Sequence, residues 1–305
     1  MRHLRSLLDC SADDVRAILD LSKTLKAEAK SGTRRPLLAG LTLGQIFDKP
    51  SLRTRGSFEA AMIQLGGGSL FFTGPEIGLD GRESLEDVAR VYGGYADAIA
   101  IRTFSQSMVD TFAELAGVPI INALTDEFHP AQALCDLLTI EEAFGTLDGQ
   151  RLAYVGDGNN VAVSLAIACG LVGVRMTLAA PNGYLIPDAV VERIRSHVPD
   201  LELEQSNDPR AAVAEATAIY TDVWASMGQE DEKAKRAAIF ADYQVNESLV
   251  AAAPDDAIIL HCLPARRGLE ITDGIMEHPR SHVFPQAENR MHLAKGLLCW
   301  LLGKS

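Results

Sequence analysis

Apolar positions along this chain follow two rhythms in turn, short runs of strand length and longer stretches with apolar residues three and four apart. Ser11, with Asp13 and Asp14 behind it, opens a helix whose apolar face is Val15, Ile18, Leu19 and Leu25 and which ends near Gly32. The apolar run Leu41 to Phe47 predicts a strand. After a polar turn at 48–56, Ser57 to Leu65 reads as helical, and Gly66-Gly67-Gly68 breaks it before the short strand Ser69 to Phe72. Ser84 with Asp87 makes a second capping box for a helix to about Tyr95. Asp97 to Ile101 is a strand, Ser105 to Ala116 a helix and Val118 to Ile121 a strand. A helix from Pro130 to Phe144 leads to the turn residues Gly145 and Gly149.

The alternation then starts again. Arg151 to Val155 is a strand, 156–160 a turn, Val161 to Leu171 an apolar helix and Val174 to Leu178 a strand. The helix Pro187 to Val198, the strand Leu201 to Glu204, a helix near Ala211 to Ala216 and the strand Ala218 to Thr221 continue it. A charged helix around Asp231 to Phe240, the strand Ala257 to Leu260 and a helix from about Gln286 to Leu302 finish the chain. Strands alternating with helices predict an α/β fold of two doubly wound parallel-sheet lobes in series. Such sheets collect ligands outside the carboxyl ends of their strands, so the turns that follow strands are where chemistry is expected.

Composition narrows the ligand. The chain has 305 residues, of which 47% are hydrophobic, enough for about two domains with real cores. Its 28 Lys plus Arg against 41 Asp plus Glu give a net charge of -13, which disfavours nucleic acid and anionic membranes as partners. Five cysteines are scattered with no C-x-x-C pair, which argues against a disulfide framework or a structural zinc. No apolar run reaches membrane-spanning length, and no export signal is visible at the start, so a cytoplasmic location is expected.

Against that acidic background the turn Asp48-Lys49-Pro50-Ser51-Leu52-Arg53-Thr54-Arg55-Gly56 stands out. Pro50 ends the strand, Ser51 can cap the next helix, and the first-turn amides with two arginines and two hydroxyls suit a small anion such as a phosphate or carboxylate. Three later stretches add to it. His129-Pro130-Ala131-Gln132 puts His129 and Gln132 at a helix start, although a lone histidine there reads equally as a buried structural one. Asp222-Val223-Trp224-Ala225-Ser226-Met227-Gly228 follows a strand with a carboxylate and a hydroxyl, and His261-Cys262-Leu263-Pro264 follows another with a thiol.

Taken with Arg102-Thr103-Phe104, these motifs resemble those of the ornithine carbamoyltransferases, within the aspartate/ornithine carbamoyltransferase family, in order and nearly end to end. Ser-x-Arg-Thr-Arg and His-Pro-x-Gln are shared across that family, while Ser-Met-Gly and His-Cys-Leu-Pro are features of its ornithine branch. The resemblance implies transfer of the carbamoyl group of carbamoyl phosphate to the side-chain amine of L-ornithine, giving citrulline and phosphate within arginine biosynthesis. It implies no cofactor and no metal, and a homotrimer or a multiple of it. It implies that 1–144, with the final helix 286–305 returning to it, binds carbamoyl phosphate, that 145–285 binds ornithine, and that long helices link the lobes.

Residue by residue, the resemblance implies that Ser51, Leu52, Arg53, Thr54, Arg102, His129, Gln132 and Arg290 hold carbamoyl phosphate. Asn160, Asp222, Ser226, Met227, Cys262 and Leu263 would hold ornithine, and Arg53, Arg102, His129 and Cys262 would carry the chemistry. Two positions depart from the family pattern. Leu52 stands where a threonine is usual, and Gly78 aligns with a glutamine that reaches the neighbouring subunit's site.

The reaction asks for these groups. A dianionic leaving group and a carbonyl that becomes an oxyanion both need fixed cations and donors. Arg53 and Arg102 are expected on the phosphate, with Arg102, Thr54 and His129 as candidates for the carbonyl. Arg55 has a weaker claim on the same ligand, or else supports the loop by pairing with a carboxylate such as Glu83. Asp222 suits the α-ammonium of ornithine. No His or Asp arrangement that would activate Cys262 is recognisable from sequence, so direct transfer is expected without a carbamoyl-cysteine. A loop around Met227 to Glu232, beside Gly228, is expected to close over ornithine.

Other readings remain open at this stage. Gly156-Asp157-Gly158 lacks the third glycine of a dinucleotide fingerprint, and His129, His261 and Cys262 have no known metal-ligand spacing. A carbamoyltransferase for putrescine or a modified ornithine, or an inactive paralogue serving as an assembly subunit, would share the same motifs.

Overall fold

A computed structural model describes residues 1–79, 81–225 and 230–305. Two units emerge, Met1–Leu138 with Glu288–Ser305, and Thr139–Ala287. In the first, helix α1 (Ala12–Lys30) starts with the reciprocal capping box of Ser11 and Asp14. Strand β1 (Thr42–Phe47) is followed by α2 (Leu52–Gln64), β2 (Gly68–Phe72), α3 (Leu85–Gly93), β3 (Ala98–Arg102), α4 (Gln106–Leu115) and β4 (Ile120–Leu124). Helix α5 (Pro130–Phe144) runs on into the second unit, where β5 (Arg151–Val155), α6 (Asn160–Val172), β6 (Arg175–Ala179), α7 (Asp188–His197), β7 (Leu203–Ser206), α8 (Pro209–Val213) and β8 (Ala218–Thr221) alternate. The rest is α9 (Lys233–Ile239), α10 (Glu247–Val250), β9 (Ile258–His261), α11 (Asp273–Met276) and α12 (Val283–Leu301), whose greater part belongs to the first unit.

Both sheets are parallel. The first has the order β2-β1-β3-β4, so the chain reverses its direction of travel between β1 and β3, which are in register with Phe47 opposite Arg102. The second has the order β7-β6-β5-β8-β9, and its reversal lies between β5 and β8, where Tyr154 faces Tyr220. At such a switch point the two following turns diverge and leave room for a ligand. The turns at the first switch point are 48–51 and 103–105. Those at the second are 156–159 and 222–225.

The cores explain why these runs form strands and helices. One face of the first sheet packs Ile46, Ile99 and Ile101 against Val88, Tyr92, Val109 and Phe112 of α3 and α4. Gly93 is required where those two helices cross, because a Cβ there would overlap the carbonyl of Ala116. In the second unit Val155, Ile219 and Ile259 pack with Phe240, Val245, Leu249 and Ile275. Helix α6 is buried on every side from Val161 to Gly170, which is why its sequence is apolar throughout rather than striped.

Several boundaries differ from expectation for local reasons. Ser51 is the cap of α2, its Oγ accepting the N–H of Thr54 at 3.2 Å, so Leu52 to Arg55 form the first helical turn and the helix begins well before Ser57. Strand β7 starts at Leu203 rather than Leu201, and α8 starts at Pro209, capped by Asp208. Helix α12 starts at Val283 rather than Gln286.

Candidate active site

The first half-site is built at the switch point of the first sheet. Arg102 is the last residue of β3 and is buried, and its carbonyl accepts the N–H of Asp48 at 2.9 Å. Asp48 Oδ2 in turn accepts the hydroxyl of Thr103 at 2.6 Å, which joins the two turns. Lys49 is buried beneath them, with Nζ 2.6 Å from Asp126 Oδ1 and 3.8 Å from the Phe104 ring centroid. The turn from β4 to α5 is thereby fastened to the other two, and it carries His129 one residue before Pro130 starts the helix.

Arg290 reaches this half-site from α12. Its Nη1 donates to Gln132 Oε1 at 2.9 Å and its Nη2 to Thr54 Oγ1 at 3.4 Å, while Gln132 Nε2 donates to Asp136 Oδ1 at 2.7 Å. Burial pushes the His129 imidazole well below its ordinary value, and the guanidiniums of Arg290, Arg102 and Arg53 push it further. His129 is therefore a neutral ring among three fixed cations at the start of a helix. That arrangement attracts a dianion and can offer a donor without adding a fourth charge.

One first-unit expectation is corrected. Arg55 pairs with Glu59 on its own helix, Nε to Oε1 at 2.8 Å, and lies over the Phe71 ring at 3.6 Å; it does not pair with Glu83. Four residues apart on one helix, the partners meet with no help from a distant loop. Leu52 projects its side chain outward at 83% exposure, which leaves only its backbone for ligand binding. Gly78 has φ +84, a conformation strained for any side chain, so the glutamine of the family pattern has no ready counterpart at that position.

The second half-site lies at the switch point of the second sheet. Asp222, just after β8, is buried and accepts three hydrogen bonds: from Val223 N at 2.7 Å and Cys262 Sγ at 3.0 Å on Oδ1, and from Asn159 Nδ2 at 3.0 Å on Oδ2. A carboxylate beside the Cys262 thiol was not legible in the sequence, where the two are 40 residues apart. Tyr154 lies under this group, its hydroxyl 3.2 Å from Asn159 Oδ1 and its ring stacked on Tyr220. Burial, then the neighbouring acidic groups led by Asp222, push its phenol well above the ordinary value, so it stays a donor.

Around this group, Arg236 from α9 donates to Asp157 Oδ2 at 2.7 Å, to the Trp224 carbonyl at 3.0 Å and to Glu232 Oε2 at 2.9 Å. Burial raises the Asp157 carboxyl, and Arg236 opposes the rise. Asn160 opens α6. Leu263, at φ +57, donates its N–H to His261 Nδ1 at 2.9 Å, while His261 Nε2 lies 3.1 Å from Glu270 Oε1. Asp222, His261 and Cys262 bring donor atoms within 4.8 Å of one another, but both ring nitrogens of His261 are already engaged, so this set does not suit a metal ion. Ser226, Met227 and the rest of 227–229 in the expected 227–232 closing loop lie outside the described residues. Sequence reasoning missed Lys49, Tyr154, Asn159, Asp157, Arg236 and Glu270; of these only Asn159 left a local signal, as a cap residue before an apolar helix.

A doubly wound first unit with a cationic anion seat and a similar second unit with a carboxylate and thiol define a group-transfer enzyme that takes an anionic donor and an amino acid. The chain belongs to the aspartate/ornithine carbamoyltransferase family: residues 2–142 match the model of its carbamoyl-P binding domain and residues 148–301 that of its Asp/Orn binding domain. Among named relatives, the ornithine carbamoyltransferase of Parasynechococcus marenigrum is 50% identical over 304 residues, covering 99% of this chain and 94% of its own length. That of Bacillus subtilis is 46% identical over 305 residues, with coverage of 99% and 94%. The solved ornithine carbamoyltransferase of Pyrococcus furiosus superposes with a TM-score of 0.95 at 44% identity, covering 99% of this chain and 97% of that one. The Thermus thermophilus structure gives 0.89 at 39%, with 99% of each chain covered.

Proposed function

We propose that the protein transfers the carbamoyl group of carbamoyl phosphate to the side-chain amine of L-ornithine, giving L-citrulline and phosphate, as a step of arginine biosynthesis. The observation that carries this reading is His129 before α5, its imidazole pushed down by burial and by Arg290, Arg102 and Arg53, together with the start of α2 capped by Ser51, in a unit that matches a carbamoyl-phosphate-binding domain. Phosphate oxygens take Arg53, Arg102 and the first-turn amides of Ser51, Leu52, Arg53 and Thr54. Gln132, His129 and Arg290 take the carbamoyl end, where the oxyanion develops. The anion seat is already charged before the reaction, so little reorganisation is needed when the bond to phosphate breaks.

On the ornithine side, Asp222 takes the α-ammonium, and Asn160, Ser226 and Met227 help to hold the amino-acid end. Cys262 and the Leu263 carbonyl orient the attacking nitrogen, which has shed a proton from an amine of ordinary pKa about 10. Transfer is direct, through a tetrahedral intermediate. The division into a carbamoyl phosphate domain of 1–144 with 286–305 and an ornithine domain of 145–285 belongs to this reading, supported by the clustering of contacts into two units.

The same reading includes a cytoplasmic homotrimer. Among the described residues, no helix is long and apolar enough to cross a membrane. Self-association through the first unit has support in one face of α2, where Leu52 at 83% and Ile63 at 69% exposure lie eleven residues, three turns, apart. A substrate panel tests the function: product formed from carbamoyl phosphate with ornithine, putrescine, lysine or aspartate, without added metal or nucleotide. Ornithine is expected to exceed each alternative in kcat/KM by at least about 100-fold, since the alternatives leave Asp222 without its ammonium or misplace the amine. A preference for putrescine, or no product with any amine, would overturn the reading.

A further inference from the structure

Asn159 caps α6 and at the same time touches Asp222, and the two roles together fix something neither fixes alone. Its Oδ1 accepts the backbone N–H groups of Val161 at 2.9 Å and Ala162 at 3.2 Å, and the Tyr154 hydroxyl at 3.2 Å. A peptide N–H can only donate, so the carboxamide cannot be turned round: its oxygen must face the helix and its NH2 must face Asp222. Asp222 Oδ2, receiving that NH2 at 3.0 Å, is an acceptor. On the other oxygen, Val223 N at 2.7 Å donates by the same necessity, and the atom left to share Oδ1 is Cys262 Sγ at 3.0 Å. Both oxygens of the Asp222 side chain are thus engaged by N–H donors, and Oδ1 also takes the hydrogen bond from Cys262 Sγ.

We infer that Asn159 is a positioning residue that fixes the orientation of the Asp222 side chain beside Cys262, in the enzyme whose reaction is proposed above. The identity of the reaction rests on that proposal; the direction of the hydrogen bonds does not. Helix α6 supplies the reference that sets this polarity, because its first-turn amides decide which way the carboxamide points. A thiol pinned this way donates to Asp222 and keeps its sulfur lone pairs toward other partners, which suits orienting an amine and not attacking a carbonyl.

Among the described residues, charged and titratable groups face Asp222 from the elements on either side of it. Strand β5 presents Tyr154 and its following turn Asp157, which is engaged with Arg236 of α9, itself also paired with Glu232. The segment after β9 presents Cys262, next to His261, which faces Glu270. Asn159 is thus the neutral donor that fixes the polarity of the Asp222 site.

Asn159→Asp tests this with almost no change of shape, and aspartate caps a helix as well as asparagine does. It keeps the acceptor for α6 and Tyr154 but sets a second carboxylate against Asp222, and two carboxylates in contact retain one proton between them. The raised pKa makes the folded state bind a proton that the unfolded chain has lost, so stability is lost as pH rises. The thermal midpoint is expected to fall, relative to wild type, as pH rises from about 4 to 8.5, by roughly 3 °C for each unit of the rise in pKa. The exchange Asn159→Asp with Asp222→Asn should restore the wild-type profile, because the amide then donates from position 222 and all the bonds are kept.

Ornithine kinetics add a second readout. In Asn159→Asp a new ionisation should appear in kcat/KM for ornithine and be absent from the KM for carbamoyl phosphate. A midpoint profile parallel to wild type in Asn159→Asp, or an exchange variant that does not recover it, overturns the inference. If the wild type makes no citrulline, the proposed reaction fails while the midpoint series still judges Asn159.

Discussion

Replacing Arg290 with methionine removes one of the three guanidiniums around His129 while keeping an apolar side chain of similar reach. Two effects on the ligand-free protein oppose each other. Gln132 Oε1 loses the donor now at 2.9 Å, at a cost of about 1–3 kcal/mol for a buried acceptor, while Arg53 and Arg102 lose a like-charged neighbour. The thermal midpoint without ligand should therefore move by no more than about 4 °C, or about 1 kcal/mol. Ligand binding has no such offset. One charge-assisted hydrogen bond to the bound carbamoyl phosphate is worth about 1.5–3 kcal/mol, so its Kd should rise about 10- to 150-fold. At a ligand concentration 100 times the wild-type Kd, the stabilisation of about 2.7 kcal/mol should drop to about 0.4 kcal/mol in a variant weakened 100-fold. Differential scanning fluorimetry with carbamoyl phosphate and with inorganic phosphate reads this directly, and kcat/KM should fall in step. An unchanged ligand-induced shift in Arg290→Met would refute the assignment of Arg290 to the anion seat.

Lys49→Met should destabilise the protein by about 1–3 kcal/mol, read by urea unfolding, because a buried ammonium loses Phe104 and Asp126; a several-fold rise in the KM for carbamoyl phosphate, with that for ornithine unmoved, should accompany it. Since Asp126 is itself exposed, little of that loss comes from the ion pair. For His129 the folded-state pKa is lowered, so below about pH 6.5 the unfolded chain takes up a proton that the folded one refuses, and stability falls with acid by up to about 1.4 kcal/mol per pH unit. His129→Gln should flatten the midpoint between pH 7.5 and 5.5, and an unchanged slope would mean that the imidazole is already protonated. Rapid-quench mass spectrometry should find no carbamoyl adduct on Cys262 during turnover; a kinetically competent adduct would overturn direct transfer.

What could be read from the sequence divides along the distance over which each feature is decided. Strands β1, β3, β5, β8 and β9 are apolar runs with a stop signal, and their ends carry the motif residues, so the carboxyl-end placement of Arg102, Asp222 and Cys262 was visible early. Helix α2 began earlier than its apolar spacing suggested because Ser51 caps a polar first turn, and a polar turn carries no periodicity. The four-residue helices α10 and α11 are too short to show a period at all, and β7, an edge strand with half-exposed residues, gave a blurred start. The site followed the same division. Arg53, His129 and Asp222 belong to recognisable motifs, whereas Lys49 meets Asp126 across 77 positions, Arg236 meets Asp157 across 79 and Asn159 meets Asp222 across 63. Those partners are chosen by sheet order, in which β1 adjoins β3 and β5 adjoins β8, and that order has no local signature.

The central claim, that the fixed cations of the first unit seat carbamoyl phosphate for attack by ornithine, meets its most direct test in product stoichiometry. Citrulline and inorganic phosphate are measured together from ornithine and carbamoyl phosphate, with the wild type and Arg53→Ala side by side. One citrulline per phosphate is expected from the wild type, with at least about a 100-fold loss of kcat/KM for carbamoyl phosphate in the variant. Phosphate released without citrulline, or an Arg53→Ala enzyme with unchanged kinetics, would contradict it.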